Sequence, residues 1–228
     1  MKVNMKKTAI LACIFLAISG LAHADWRSYA YSYDYRTARP GEREFELYTD
    51  YFPDGSMTNQ IELEYGISDR WMASVYAVLG SSDLRTFTYT ETKLSSRYRF
   101  GEAGQYTADP AIYLEYILPR QGENEIELKG ILSKDFGSIN LTGNLIVEKT
   151  ISAAGWEKEY TLALSKIVSK GLRAGLEIKG GFDANSPLYL GPSIALVWGK
   201  VKINLVAGIG GNSASGSLNL RNIISFEY

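Results

Sequence analysis

The residues best equipped for chemistry are acidic pairs two positions apart: Glu44/Glu46, Glu62/Glu64, Glu125/Glu127 and Glu157/Glu159. On an extended strand, residues i and i+2 share a face, with roughly 6.5–7 Å between their Cα atoms. Carboxylates so spaced suit acid/base hydrolysis or an oxygen-ligand site for Ca²⁺. The competing reading is a charged wall, in which bases on other strands neutralise these acids. Arg85, Lys93, Arg97, Arg99, Lys129, Arg173, Lys179 and Arg221 supply the bases, and Glu177 is a further acid. Paired charges are more often structural than catalytic, so the wall is the expectation adopted.

Thiol nucleophiles, imidazole bases and Cys or His metal ligands are excluded by processing. The single Cys (Cys13) and single His (His23) both fall within residues 1–24. There, Lys2, Lys6 and Lys7 precede an apolar run from Ala9 to Leu21 and then Ala22-His23-Ala24. Basic start, apolar middle and small-residue site together read as a secretory signal peptide cleaved after Ala24. Leu11-Ala12-Cys13 superficially resembles a lipid-attachment site, but it would leave only Thr8 to Ala12 as a hydrophobic core, so a lipid anchor is rejected. The remaining chain has no thiol, no imidazole and no possible disulfide. A His-assisted serine mechanism therefore lacks its base, and no enzyme activity, metal or cofactor is expected. Loss of the three lysines leaves 21 basic residues against 25 acidic ones, a charge of −4. That balance gives no reason to expect nucleic-acid binding.

The elements that must position these charges follow from a period of two. Phe45, Leu47, Thr49 and Tyr51 alternate with Glu44, Glu46, Tyr48 and Asp50, and similar runs recur to the C terminus. Twelve segments emerge: Glu44 to Tyr51, Gln60 to Tyr65, Trp71 to Leu79, Leu84 to Phe100, Ala111 to Leu118, Glu125 to Ser133, Ile139 to Val147, Glu157 to Ile167, Leu172 to Phe182, Leu188 to Trp198, Val201 to Ile209 and Leu218 to Tyr228. Segments of about ten residues match the length a tilted strand needs to cross a bilayer, and an even count suits antiparallel closure. The fold expected is therefore all-β: an up-and-down transmembrane barrel over 42–228.

Alternation alone does not distinguish this from a soluble barrel with its apolar face inward. Dense charge on the polar face favours a wet or salt-bridged lumen. Aromatic residues also collect at segment ends, with Tyr65, Trp71, Phe100, Phe136, Trp198 and Tyr228 at one rim and Tyr51, Phe52, Trp156 and Phe182 at the other. Two such girdles are what bilayer interfaces select, which makes outer-membrane lipid the expected surround. The ending Ile224-x-Phe226-x-Tyr228 resembles the C-terminal signal read by outer-membrane barrel assembly machinery. With both ends periplasmic, the loops near 53–57, 80–83, 119–124, 151–155, 183–186 and 211–217 face outward, and all are short.

Residues 25–41 break the pattern, with Tyr29, Tyr31, Tyr33 and Tyr35 at strict alternation before Arg39-Pro40-Gly41. The reading preferred is a periplasmic lead-in lying against the rim. The alternatives are an arm tucked into the lumen, narrowing it with tyrosine rings, and an additional strand that would spoil the even count.

Pro40-Gly41-Glu42-Arg43-Glu44-Phe45-Glu46-Leu47 and Ile61-Glu62-Leu63-Glu64-Tyr65-Gly66-Ile67-Ser68-Asp69-Arg70 resemble the opening of a family of bacterial outer-membrane proteins. That family contains the MetA-pathway phenol-degradation proteins and uncharacterised twelve-stranded barrels. The resemblance implies a barrel in the outer membrane of a Gram-negative bacterium, acting in uptake of small or hydrophobic molecules. It brings no catalytic residues. Two functions stay open: a narrow channel or transporter, and a non-conducting barrel with a structural or interaction role.

Overall fold

The computed structural model describes residues 28–228; the expected signal peptide and its cleavage site after Ala24 lie outside the described residues. Twelve strands follow in chain order: β1 (Arg43–Tyr51), β2 (Met57–Ser68), β3 (Trp71–Ser81), β4 (Thr88–Arg99), β5 (Asp109–Pro119), β6 (Glu125–Phe136), β7 (Ile139–Thr150), β8 (Glu157–Ser169), β9 (Leu172–Gly181), β10 (Leu188–Trp198), β11 (Val201–Gly210) and β12 (Leu218–Glu227). Each strand pairs antiparallel with its chain neighbours, and β1 pairs with β12 from Glu44↔Glu227 to Tyr51↔Leu220, closing the barrel. Closure satisfies every strand edge internally, the condition for exposing a sheet to lipid.

The packing is inverted relative to a soluble protein. Along β1, Glu44, Glu46, Tyr48 and Asp50 are buried in the lumen while Phe45 and Leu47 point outward. Along β8, Thr161, Ala163 and Ser165 face inward, and Leu162 and Leu164 are nearly half exposed on the outside. The most deeply buried side chains include Glu46, Glu62, Glu177, Asn140 and Asn204, whereas Leu114, Leu145, Leu176 and Ile194 lie on the outer surface. Water cannot be the solvent that such an exterior selects.

The end of the barrel holding the start of β1 and the C terminus is called the lower rim, and the opposite end the upper rim. β-Bulges interrupt the register at Gly66/Ser68, Val78/Leu79 and Ile167/Ser169. The fourth strand begins at Thr88, later than the expected Leu84. The reason is local: Asp83 accepts backbone N–H bonds from Arg85 (2.9 Å) and Thr86 (2.8 Å), and Leu84 adopts φ 60°. An aspartate turned on its own following amides competes with strand pairing. The Thr86 and Arg85 amides also hold the Asp83 carboxyl below the usual carboxylate range.

Residues 28–38 do not lie against the rim, which corrects the expected periplasmic lead-in. Tyr29, Ala30, Ser32 and Ala38 are almost wholly buried inside the barrel. Nor is the segment an added strand, since none is assigned before Arg43 among the described residues. It is an irregular arm, because its polar backbone finds partners on lumen side chains and needs no sheet edge.

Candidate functional site: the lumen and its arm

The arm enters at the lower rim, where Gly66 faces inward. The Gly41 N–H donates to the Gly66 carbonyl (2.8 Å), and the Gly66 N–H donates to Glu42 (3.0 Å). A Cβ on Gly66 would run into the carbonyl of Arg39 and press on that of Ala38. This glycine, within the segment Glu64-Tyr65-Gly66-Ile67, is thus the notch through which the arm passes, not merely part of a turn. At the same rim, the Thr37 hydroxyl donates to the Asp69 carbonyl in the β2–β3 turn (3.2 Å), and Arg97, level with Gly66 across β3, donates to the Arg36 carbonyl (3.0 Å). Arg36 also bridges Asp34 (2.7 Å) and Asp135 (2.8 Å).

In mid-lumen the wall treats the arm as a ligand. The Tyr33 N–H donates to Asn144 Oδ1 (2.8 Å), and Asn144 Nδ2 returns a bond to the Tyr33 carbonyl (2.7 Å). Three successive amides, of Ala30 (2.9 Å), Tyr31 (2.6 Å) and Ser32 (3.2 Å), donate to the fully buried Glu177 carboxylate. Bonds to an ionised acceptor in a dry site are the stronger kind. The Tyr29 hydroxyl reaches Asn140 (2.6 Å) near the lower rim, while that of Tyr31 reaches Asn219 near the upper rim. Gly208 is what admits Tyr31, since a Cβ there would meet its hydroxyl.

Rings complete the fit. Tyr33 lies 5.2 Å from Tyr113, and the charged ends of Arg97 and Lys129 sit 4.7 and 4.2 Å from the Tyr33 centroid. Cations over ring faces are attracted by the ring quadrupole, more so when desolvated. Tyr31 packs with Tyr48, Tyr76, Val206 and Ile223, whereas Tyr33 and Tyr35 pack with Ala111, Tyr113 and Ile131.

Of the residues expected to line the lumen, Glu44, Glu46, Glu62, Glu64, Lys93, Arg97, Arg99, Glu125, Glu127, Lys129, Arg173, Glu177, Lys179 and Arg221 fall on inward-facing positions. Arg85 does not: it is exposed in the loop that Asp83 organises, outside the barrel wall. Charges meet in local pairs: Lys93 with Glu115 (3.2 Å), Lys129 with Glu127 (3.0 Å), Arg221 with Asp50 (3.3 Å) and Lys202 with Glu44 (2.9 Å). Lys202, Asp50 and Glu115 were missed as lining residues, though their inward parity within each run was readable.

Glu46, Glu62 and Glu64 bring carboxylate oxygens within 4.8 Å of one another. Tyr48 donates into the space between Glu46 and Glu62, and Ser225 donates to Glu46 (2.6 Å), so hydrogen bonds from the wall already knit this cluster. Glu44, Glu127 and Glu159 of the acidic pairs each meet a lysine, whereas Glu46 and Glu62 of this cluster are held by hydrogen bonds from neutral hydroxyls.

At the rims, Tyr65, Trp71, Phe100, Phe136, Trp198 and Tyr228 are exposed at the lower end, and Trp156 and Phe182 at the upper end, with Tyr51 and Phe52 partly covered there. Lys149 lies 5.4 Å from the Trp156 ring. At the upper end the lumen widens into a vestibule of about 350 Å³, lined by Asp50, Phe52, Gln60, Glu159, Lys179 and Tyr189 among others and floored by Tyr31.

No known protein family and no curated protein matches the chain. Solved structures do. The KdgM porin superposes with a TM-score of 0.59 at 10% identity, covering 81% of this chain and 98% of its own. The NanC porin gives 0.59 at 8% identity, over 81% and 98%. An outer-membrane channel of Pseudomonas putida F1 gives 0.62 at 12% identity, over 86% and 99%. At these identities the likeness establishes the fold: a closed twelve-stranded barrel of the outer-membrane type.

Proposed function

We propose that this protein is an outer-membrane channel for small solutes, narrowed from within by residues 28–38. The observation that carries the reading is the inverted barrel, apolar outside and charged inside, whose lumen opens at the upper rim and is constricted at Tyr31. The fold shared with porins and a channel supports it. Twelve strands enclose a lumen between the filled eight-stranded barrels and the open sixteen-stranded porins, so a single chain segment is enough to set its bore.

The wall favours polar solutes over the hydrophobic ones that the MetA-pathway resemblance implied, because an apolar solute would strip water from the charged pairs without replacing it. Pairing of both signs along the wall argues against strong preference for anions or cations. Gram-negative outer-membrane residence and recognition by the assembly machinery through Ile224, Phe226 and Tyr228 belong to the same proposal. The first two of these lie on the outward side of β12, the strand that closes the barrel on β1.

A second reading, a non-conducting scaffold, is favoured by the number of arm contacts that fill the lumen. Conductance of the purified protein in planar bilayers separates the two. Discrete current steps support the channel, and their absence both with and without residues 28–38 supports the scaffold.

A further inference from the structure

The vestibule above Tyr31 has a chemistry of its own. Two ion pairs border it, a third of the way round the barrel from each other. Asp50 and Arg221, directly paired between β1 and β12, are 3.3 Å apart, and Asn219 also donates to Asp50 (3.4 Å). Both side chains are largely covered, and Arg221 further lies 5.3 Å from the Tyr48 ring. This pair is part of the wall.

The other pair differs. Lys179 and Glu159, on β9 and β8, are 3.6 Å apart and expose 38% and 37% of their side chains. A pair so long and wet contributes little to stability and exchanges readily with an incoming charge. Tyr189 pairs with Lys179 across β9 and β10, and Tyr31, Phe52 and the amide of Gln60 line the same vestibule, the last two from the side of Asp50.

The charge balance selects the ligand class. A lone anion approaching Lys179 meets Glu159 at nearly the same distance, and a lone cation meets the reverse, so either gains almost nothing net. A solute carrying both charges replaces one weak pair by two, with its carboxylate on Lys179 and its ammonium on Glu159. A neutral polyol gains only hydrogen bonds that water already supplies. The vestibule, about 350 Å³, lies near the lower end of ligand-pocket sizes, roughly 300–1,000 Å³.

We infer that the upper vestibule binds small zwitterions of the amino-acid or dipeptide kind between Lys179 and Glu159, their apolar part lying against Tyr31, Phe52 and Tyr189. The inference rests on the reading that solutes enter the barrel from this end. It also gives the arm a second role, since Tyr31 is at once the constriction and the floor of the site.

Calorimetric titration of the detergent-solubilised protein tests it, with L-glutamine, N-acetyl-L-glutamine and L-glutaminamide as probes. The second lacks the ammonium and the third lacks the carboxylate. Glutamine is expected to bind at least about tenfold tighter than either. Lys179→Met is expected to bring glutamine down to the level of glutaminamide, and Glu159→Gln down to that of N-acetylglutamine. Both variants should keep the heat-sensitive gel migration of a folded barrel. Equal affinity for the three probes, no binding of any, or glutamine binding untouched by both substitutions overturns the assignment. Because titration needs no ion flow, glutamine binding by a protein that never conducts would sink the channel reading and leave this site standing.

Discussion

At the scale of single residues, Glu177 matters most. It is fully buried, yet it accepts three consecutive backbone amides of the arm. A hydrogen bond to a charged acceptor contributes about 1.5–3 kcal/mol, so removing this carboxylate costs several times thermal energy. Glu177→Gln, which keeps the size but not the charge, is expected to weaken docking of the arm by about 2–4 kcal/mol. Hydrogen exchange at Ala30, Tyr31 and Ser32 reads this out. Faster exchange at those amides, with the barrel strands unchanged, is the expected result; unchanged protection contradicts the latch. The sequence displayed Glu177 as one acid among many on an inward parity. Its role was illegible there, because its partners are amides 145 to 147 residues away along the chain. Gly66 is similar: a motif glycine in a strand that reads as a turn until the Arg39 carbonyl is seen against it.

At the scale of elements, the outward positions of the strands carry the apolar side chains that meet lipid. Leu162, in the middle of β8 and 47% exposed, pairs with Gly143 and Ile178 on its flanks. Leu162→Lys is expected to lower the unfolding free energy of the liposome-inserted barrel by about 2–4 kcal/mol, the usual cost of a cation near the bilayer midplane. A urea titration showing no change, or a gain, contradicts the assignment of this face to lipid. The strands themselves were legible from alternation, since a period of two leaves few other folds once twelve runs recur with short turns. The start of β4 was not: the Leu84–Arg85 region has strand-like residues, and only the hydrogen bonds to Asp83 turn it into a loop and carry Arg85 off the wall. The arm was misplaced for a related reason. Its alternating tyrosines fit a strand, a rim or a lumen equally well, and the choice depends on Asn144, Glu177 and Asn219 converging on it from three distant strands. Tyr228, which ends the chain beside β1 with its amide donating to the Arg43 carbonyl (3.1 Å), gives the assembly proposal its test. Tyr228→Lys is expected to lower the yield of assembled barrel in cells while leaving refolding into detergent intact, and normal cellular yield contradicts it.

At the scale of the whole molecule, the barrel is a wall of paired charges wrapped around its own N-terminal segment. Side chains alone do not fill it: Tyr31 and Tyr33 of the arm complete the two apolar clusters inside the lumen. If the barrel conducts as proposed, solutes must pass the arm or wait for it to move, and the bore belongs to residues 28–38 as much as to the strands. The most direct test is single-channel conductance in planar bilayers, with the intact protein and with a variant lacking residues 28–38, both first checked for the gel shift of a folded barrel. Small steps from the intact protein and severalfold larger ones from the variant are predicted. Equal conductance in the two, or none in either, contradicts a channel narrowed by its own arm.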